Sequence, residues 1–274
     1  MDCMRLGILG GGVIARLILD YVQRGELPGV QPVAIVGRSA ASRGKPLAEQ
    51  HGIAYVTSLA ELIALKPDAV VEAASHEAVR DYGPQLLESG IAFIVLSCGA
   101  LSNDALRKKL EGLAAKHGAM LYVPSGGIGG LDALKAVVAA GCDEAEIAVT
   151  KPPAAWKGIA YVEKLGTDLD ALTGPTVLFE GTAREGVPHF PANVNIAAAL
   201  SLAGIGFDRT RLKVVADPAL KFNTHYINIR GKTGSISIKF ESVAFPDNPK
   251  TSMLAAVSAL AALKEFSGKV RYGT

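Results

Sequence analysis

Cysteine is scarce in this chain. Its 274 residues include three, Cys3, Cys98 and Cys142, far apart and without a C-x-x-C pair. That usage implies neither a zinc site nor a disulfide framework, and a reducing, cytoplasmic setting is expected. Long apolar runs are missing too. None approaches the roughly 18 residues that suggest a membrane span, and Arg16 and Asp20 interrupt the N-terminal segment, so no signal peptide is expected. Charge of one sign is also lacking. A formal net charge of +2 leaves no electrostatic footprint for nucleic acid. No His/Asp/Glu/Cys cluster has metal-ligand spacing, and no G-x-S-x-G elbow points to a hydrolase. Neither a nucleic acid nor a membrane is expected as a partner.

What is present is alternation. Strand-like segments at 5–9, 32–36, 54–56, 69–74, 92–97 and 120–123 are separated by helix-like ones at 13–24, 42–51, 59–65, 77–88 and 103–116. Such alternation with short connections predicts a parallel sheet covered by helices on both faces. From about Pro124 the pattern changes. Helices are predicted at 131–140, 195–203 and 251–266, and strands at 145–150, 176–181 and 212–216. A hairpin, 224–229 with 235–241, turns through Gly231-Lys232-Thr233-Gly234. The predicted fold class is α/β: an N-terminal doubly wound Rossmann sheet over 1–124, completed by 245–274, and a mixed α+β substrate-binding and dimerisation domain over 125–244.

The first strand breaks into Gly10-x-Gly12-x-x-Ala15 and a helix follows. Each small residue there has a physical task. Gly10 permits the tight turn, Gly12 lets a pyrophosphate approach the backbone, and Ala15 lets the helix pack close to the strand. The amides at the helix N-terminus, around Val13 and Ile14, face the phosphates. A dinucleotide is therefore the expected cofactor. NAD-preferring proteins usually carry an acid near the end of the second strand, where it bonds the ribose 2′-OH. Here that strand ends Val36-Gly37-Arg38-Ser39, with Arg43 and Lys45 close behind and no acid. Arg38 and Ser39 can hold a 2′-phosphate instead, so NADP is expected alongside NAD. The alternative is a solvated basic loop. Three more segments reach the carboxyl edge where ligands sit: Ala74-Ser75-His76, Ser97-Cys98-Gly99-Ala100, and the run Pro124 to Gly130. Ala74, Ser75 and Gly99 are cofactor candidates, although Ser75 could simply cap a helix and the glycines could make a domain crossover.

Seven blocks carry a more specific likeness: VVEAASHEAV (70–79), VLSCGALS (95–102), VPSGGIGGLDAL (123–134), TKPPAAW (150–156), FEGTAREGVPHFPANVNIAAALSLAG (179–204), VVADPALKFNTH (214–225) and NPKTS (248–252). In them the chain resembles the L-aspartate dehydrogenase family, in order and over essentially its whole length. The resemblance implies a Rossmann domain with a mixed second domain, a homodimer, NAD(P)-linked oxidation of L-aspartate and a place in NAD biosynthesis. It maps the family's catalytic histidine to His225 and two cofactor contacts to Gly127 and Asn195. One departure is Gly127, where the family often has alanine: a main-chain contact survives that change and a methyl contact does not.

The chemistry can be argued beside the resemblance. Oxidising an amino acid moves hydride from Cα to the nicotinamide and leaves an imine, so the amine must lose a proton and water then attacks. A histidine suits both steps. The candidates are His51, His76, His117, His189 and His225. His51 and His117 each precede a glycine at a predicted helix end and read as capping residues. His189 reads as a loop residue, and His76 lies at the ligand edge as a possible substrate contact. A dicarboxylate also needs cations; Lys151 and Arg184 are the candidates, with Lys221 and Lys250 nearby. Two rival readings remain open at this level. One is a related dehydrogenase for homoserine or diaminopimelate, and the other is a non-catalytic NADP-binding redox sensor.

Overall fold

In the computed structural model, residues 3–191, 193–245, 248–268 and 270 are described, the side chains at 244 and 248–251 aside. The chain divides into two compact units, Met1–Pro124 with Ala256–Gly273, and Ser125–Ala255 with Thr274.

The first unit alternates strand and helix: β1 Met4–Leu9, α1 Val13–Gln23, β2 Val30–Val36, α2 Gly44–Gln50, β3 Ala54–Val56, α3 Leu59–Ala64, β4 Ala69–Glu72, α4 His76–Glu88, β5 Ala92–Val95, α5 Asp104–His117 and β6 Leu121–Tyr122. All six strands pair in parallel, in the order β3-β2-β1-β4-β5-β6. That order makes β1 and β4 the switch point, where the connections leave in opposite directions and open a crevice. The strands read as continuous apolar runs because both faces are covered: Leu6, Ile8, Val70, Val71, Ile94 and Val95 are fully buried. Helix boundaries follow local signals. Ser58 and Glu61 form a capping box on α3, and Gly118, at φ +65°, ends α5.

The second unit contains α6 Leu131–Ala140, β7 Cys142–Lys151, α7 Ala160–Lys164, β8 Thr176–Thr182, α8 Ala183–Gly186, α9 Asn195–Ala203, β9 Arg211–Ala216, β10 Asn223–Gly231, β11 Gly234–Ser242, β12 Ala244–Phe245 and β13 Asn248–Ser252. Its main sheet runs β11-β10-β7-β9-β8. Only β7 and β9 are parallel, so the sheet is mixed. Along β10 the alternation is plain: His225, Ile227 and Ile229 are buried while Tyr226, Asn228 and Arg230 are exposed.

The chain then enters α10, Met253–Ser267. From Ala256 onward this helix belongs to the first unit, where Ala259, Leu260 and Leu263 join the core of Leu6, Ile8, Ile18, Ile35 and Ile94. Leu263 is fully buried, and truncating such a leucine to alanine costs about 2–5 kcal/mol.

The predicted helix over 251–266 loses its first two residues to β13, which pairs with β12. The short helices α7 and α8 were not expected. α8 carried a legible signal: Thr182 and Glu185 form a capping box.

Candidate active site

The crevice in the first unit measures about 770 Å³. Gly10–Gly12, Val36–Ser39, Ala41–Gly44 and Ala73–Ser75 line it, together with Tyr82 of α4. Gly10 sits at φ +97°, and a Cβ there would come within 2.8 Å of the Ala73 carbonyl oxygen, so a side chain is excluded twice over. A Cβ on Gly12 would meet nothing within 4 Å. Open space at this position is what a pyrophosphate requires. No side chain caps the N-terminus of α1 and no acid lies in its first turn, so the helix dipole faces the crevice unopposed. Val13 and Ile14 are the first two residues of that helix, and Ala15 is fully buried behind it. The residues present fit a dinucleotide.

Gly11 has a role that spacing alone did not show. A Cβ there would collide with the Cα of Gly44 at the start of α2, so the glycine-rich turn and α2 are packed backbone to backbone. The loop after β2 is held by its own bonds: Tyr55 donates its hydroxyl to the Ser39 carbonyl at 2.5 Å, and the Ser39 amide donates to Ser42 Oγ at 3.2 Å. Arg38 and Arg43 are exposed along the crevice wall.

Ser75 does cap α4, accepting from the Ala78 amide at 3.3 Å, and it lines the crevice as well. His76, half-buried, opens the same helix. Gly99 lies in a buried 3-10 turn, Cys98–Ser102, where its carbonyl accepts from Ser102 Oγ at 2.8 Å.

Sequence reasoning missed Glu72, the last residue of β4, which is fully buried. Its carboxylate accepts from the amides of Ala74 at 2.7 Å, Ser75 at 2.8 Å and Ser97 at 2.8 Å, and from Ser97 Oγ at 2.9 Å. Desolvation pushes its pKa up while these four donors pull it down. One side chain thereby ties the ends of β4 and β5, and the segment that leaves β4, Ala73–Ser75, lines the crevice. A lone acid in the apolar run Val70-Val71-Glu72-Ala73 was the available signal.

The second unit holds the titratable cluster. His225 is the third residue of β10 and is 2% exposed, with Nδ1 buried and unpartnered among the described residues. It pairs in register with Val149 of β7, so Lys151, two residues further along that strand, shares its face. Lys151 is 5% exposed, donates from Nζ to Asn193 Oδ1 at 3.1 Å, and lies 5.3 Å from the Trp156 ring centroid. Burial lowers its pKa to about 8. Burial also lowers the His225 pKa to about 3, and the Lys151 charge adds to the effect. The imidazole is thus neutral at physiological pH.

The glycine segment before α6 packs over the same face: a Cβ on Gly129 would lie 3.5 Å from the Phe240 ring, and Phe240 is the cross-strand partner of His225. Gly127 abuts α9, with Ile196 Cγ2 3.4 Å and Ser252 Oγ 3.6 Å from a Cβ built there. A methyl therefore fits at Gly127. Asn195 is the first residue of α9, so the two proposed cofactor contacts in this unit are neighbours.

The other candidates go elsewhere. Arg184 forms a two-pronged pair with Asp208, at 2.9 and 2.8 Å. His189 stacks on Tyr161 at 4.2 Å. His51 caps α2 and lies 3.5 Å from Asp20, and His117 is the last residue of α5. Lys221 is exposed, and the Lys250 side chain lies outside the described residues. Among the described residues no group of three His, Cys, Asp or Glu could hold a metal ion, and no helix is long and apolar enough to cross a membrane.

Known proteins match both units. The family described as "Homoserine dehydrogenase, NAD binding domain" matches residues 10–124, and "Aspartate dehydrogenase, C-terminal" matches residues 132–266. An L-aspartate dehydrogenase of Methanosarcina mazei is 43% identical over 99% of this chain and 100% of its own length. L-aspartate dehydrogenase 2 of Bordetella bronchiseptica is 40% identical over 98% of this chain and 97% of its own. The crystal structure of aspartate dehydrogenase from Thermotoga maritima superposes with a TM-score of 0.75 at 28% identity, covering 98% of this chain and 99% of that one. The Rossmann-type first unit, the mixed second unit and these matches along the full length lead to one conclusion: this chain belongs to the L-aspartate dehydrogenase family.

Proposed function

We propose that the protein oxidises L-aspartate to iminoaspartate, which water converts to oxaloacetate and ammonia, with His225 as the acid–base group and Lys151 as an anchor for a substrate carboxylate. The observation that carries this reading is the pairing of a buried, neutral histidine and a buried lysine on one face of the β7–β10 ladder. NAD or NADP, when bound, supplies the hydride acceptor for Cα. Gly10, Gly12 and the first amides of α1 hold its phosphates; Ala74, Ser75 and Gly99 from the first unit, with Gly127 and Asn195 from the second, are further proposed contacts. Arg38, with Ser39, holds a 2′-phosphate if one is present, because the loop offers guanidinium and hydroxyl donors and no acid.

The proton chemistry follows from the charges. In the free protein the Lys151 ammonium disfavours a second positive charge on His225. A substrate carboxylate seated on Lys151 cancels that charge, so the His225 pKa rises as substrate binds. The imidazole takes the amine proton as hydride leaves Cα and releases it to solvent; neutral again, it takes a proton from the attacking water and returns that proton to the nitrogen that leaves as ammonia. Lys151 is favoured over Arg184 as the anchor because Arg184 is already engaged by Asp208. His76 is kept as a substrate contact on the strength of its place at the sheet edge.

We propose a cytoplasmic homodimer. The free thiols Cys98 and Cys142 are buried and Cys3 is exposed, as suits a reducing compartment. The nine-residue strand β11 lies at a sheet edge, which a second copy would cover.

The test is to follow NAD(P)H absorbance with L-aspartate, then with oxaloacetate plus ammonia. His225→Ala should lower kcat by roughly 10²–10⁴-fold, the usual scale for a positioned acid–base group, with little change in cofactor affinity. A folded His225→Ala protein with near-normal turnover would remove His225 from this role and direct attention to His76.

A further inference from the structure

We propose that Asn223 is a substrate-binding residue: its side-chain amide donates to a carboxylate oxygen of the dicarboxylate, next to Lys151. This deepens the reading above and rests on it. Asn223 opens β10 and is 5% exposed, and its Nδ2 is buried without a partner among the described residues. A buried amide donor left unmade is disfavoured, and native interiors rarely retain one without a reason.

Its position supplies the reason. Two residues before His225 on the same strand, Asn223 presents its side chain to the same face. Thr224 pairs with Thr150 and His225 with Val149. One step further in that register, Asn223 and Lys151 share a cross-strand row, completed by Ser242 on β11 and Ala216 on β9. Ser242 Oγ is engaged with Ser252 Oγ, and Ala216 has no polar side chain.

The next row holds Phe240, His225, Val149 and Val214. Along this end of the face stand an ammonium, an amide and an imidazole, and no acid in either row. The two unpartnered atoms, Asn223 Nδ2 and His225 Nδ1, lie in adjacent rows beside Lys151. A face with donors, a cation and no carboxylate of its own is complementary to a carboxylate, which accepts at both oxygens. Asn223 adds direction to a site where Lys151 supplies charge.

The experiment pairs turnover with a ligand that cannot react. Asn223→Ala should raise KM for aspartate about 10- to 100-fold, the size of a lost hydrogen bond to a charged group. Its kcat should stay within about threefold and KM for the dinucleotide should not move. Succinate, a dicarboxylate without an amine, should inhibit the variant more weakly by the same factor and should raise its thermal midpoint less than it raises that of the wild type. Asn223→Asp keeps the shape but turns the donor into an acceptor beside Lys151, so it should lose the succinate effect entirely; it also serves if the alanine variant fails to fold. Unchanged KM and unchanged succinate inhibition in a folded variant would overturn the proposal. So would a fall in kcat with KM intact. If the wild type itself does not turn over aspartate, the oxidation reading fails. The succinate shift alone then decides for Asn223: absent from the variants and present in the wild type, it supports the assignment; equal in all, it refutes it.

Discussion

Replacing Lys151 with methionine should make the free protein more stable and the enzyme worse. Lys151 is buried, and burial lowers its pKa from 10.5 to about 8. That difference, at about 1.4 kcal/mol per pH unit, means the charged form costs about 3 kcal/mol of folding free energy at neutral pH. Methionine keeps most of the stem volume and drops the charge. Against the gain stand the bond to Asn193 Oδ1, worth about 1 kcal/mol, and the approach to Trp156, worth about 0.5–1 kcal/mol. The net expectation is about 1–2 kcal/mol of added stability, or a few degrees in Tm.

The pH dependence has a definite sign. A lysine with a depressed folded-state pKa binds fewer protons folded than unfolded between pH 8 and 10.5. Its cost is therefore complete below about pH 8 and fades as pH rises through that window. The variant's advantage should be full at pH 7 and largely gone by about pH 10.5. Denaturant melts of both proteins at pH 7, 9 and 10.5 measure this, and the comparison cancels the other titrating groups. Two companion readings follow. KM for aspartate should rise at least tenfold, and the His225 ring should titrate higher than about 3 once its charged neighbour is gone, as read by NMR of the imidazole protons. A variant that is less stable than wild type at every pH, with aspartate KM unchanged, would refute the claim that Lys151 is an isolated charge waiting for an anion.

Four other outcomes can be checked. Arg38→Ala should raise KM for NADP about tenfold and leave NAD nearly unaffected, since only NADP carries the 2′-phosphate; an equal effect on both would make Arg38 mere surface charge. Gly11→Ala should cost about 1–3 kcal/mol by overpacking and weaken cofactor binding, because its methyl meets the Gly44 backbone. Gly127→Ala should change stability by less than about 0.5 kcal/mol, because a methyl there finds ordinary contact distances; denaturant melts of the two variants side by side test the contrast. Light scattering at micromolar concentration should return twice the chain mass, and a monomer would count against the homodimer.

Periodicity determined the order of strands and helices in the first unit without help, because a parallel sheet covered on both faces demands continuous apolar strands and the connections leave little room for other topologies. The Gly10-x-Gly12 turn was legible for a similar reason: it is a local backbone requirement, and residue type records it directly. Even the absence of an acid after Val36 could be read one residue at a time. The site in the second unit was not legible in this way. Histidine type alone left five candidates, and the blocks of family likeness singled out His225 without saying what surrounds it.

Tertiary pairing supplied the surroundings. The β7–β10 register puts Lys151 and Asn223, 72 positions apart in the chain, on the face that His225 occupies. That register depends on two antiparallel strands from distant segments, and no local propensity records it. The same holds for Glu72, whose four donors come from two loops that meet only when β4 and β5 lie side by side. It holds for Gly11 as well, whose need to be glycine comes from Gly44, 33 residues later. Local chemistry is written in residue order, whereas burial and electrostatic coupling arise only between groups that folding brings together. For that reason the sequence alone marked the glycine turn expected to hold a dinucleotide, and the fold decided which lysine and which amide share the face of His225 and which carboxylate is buried.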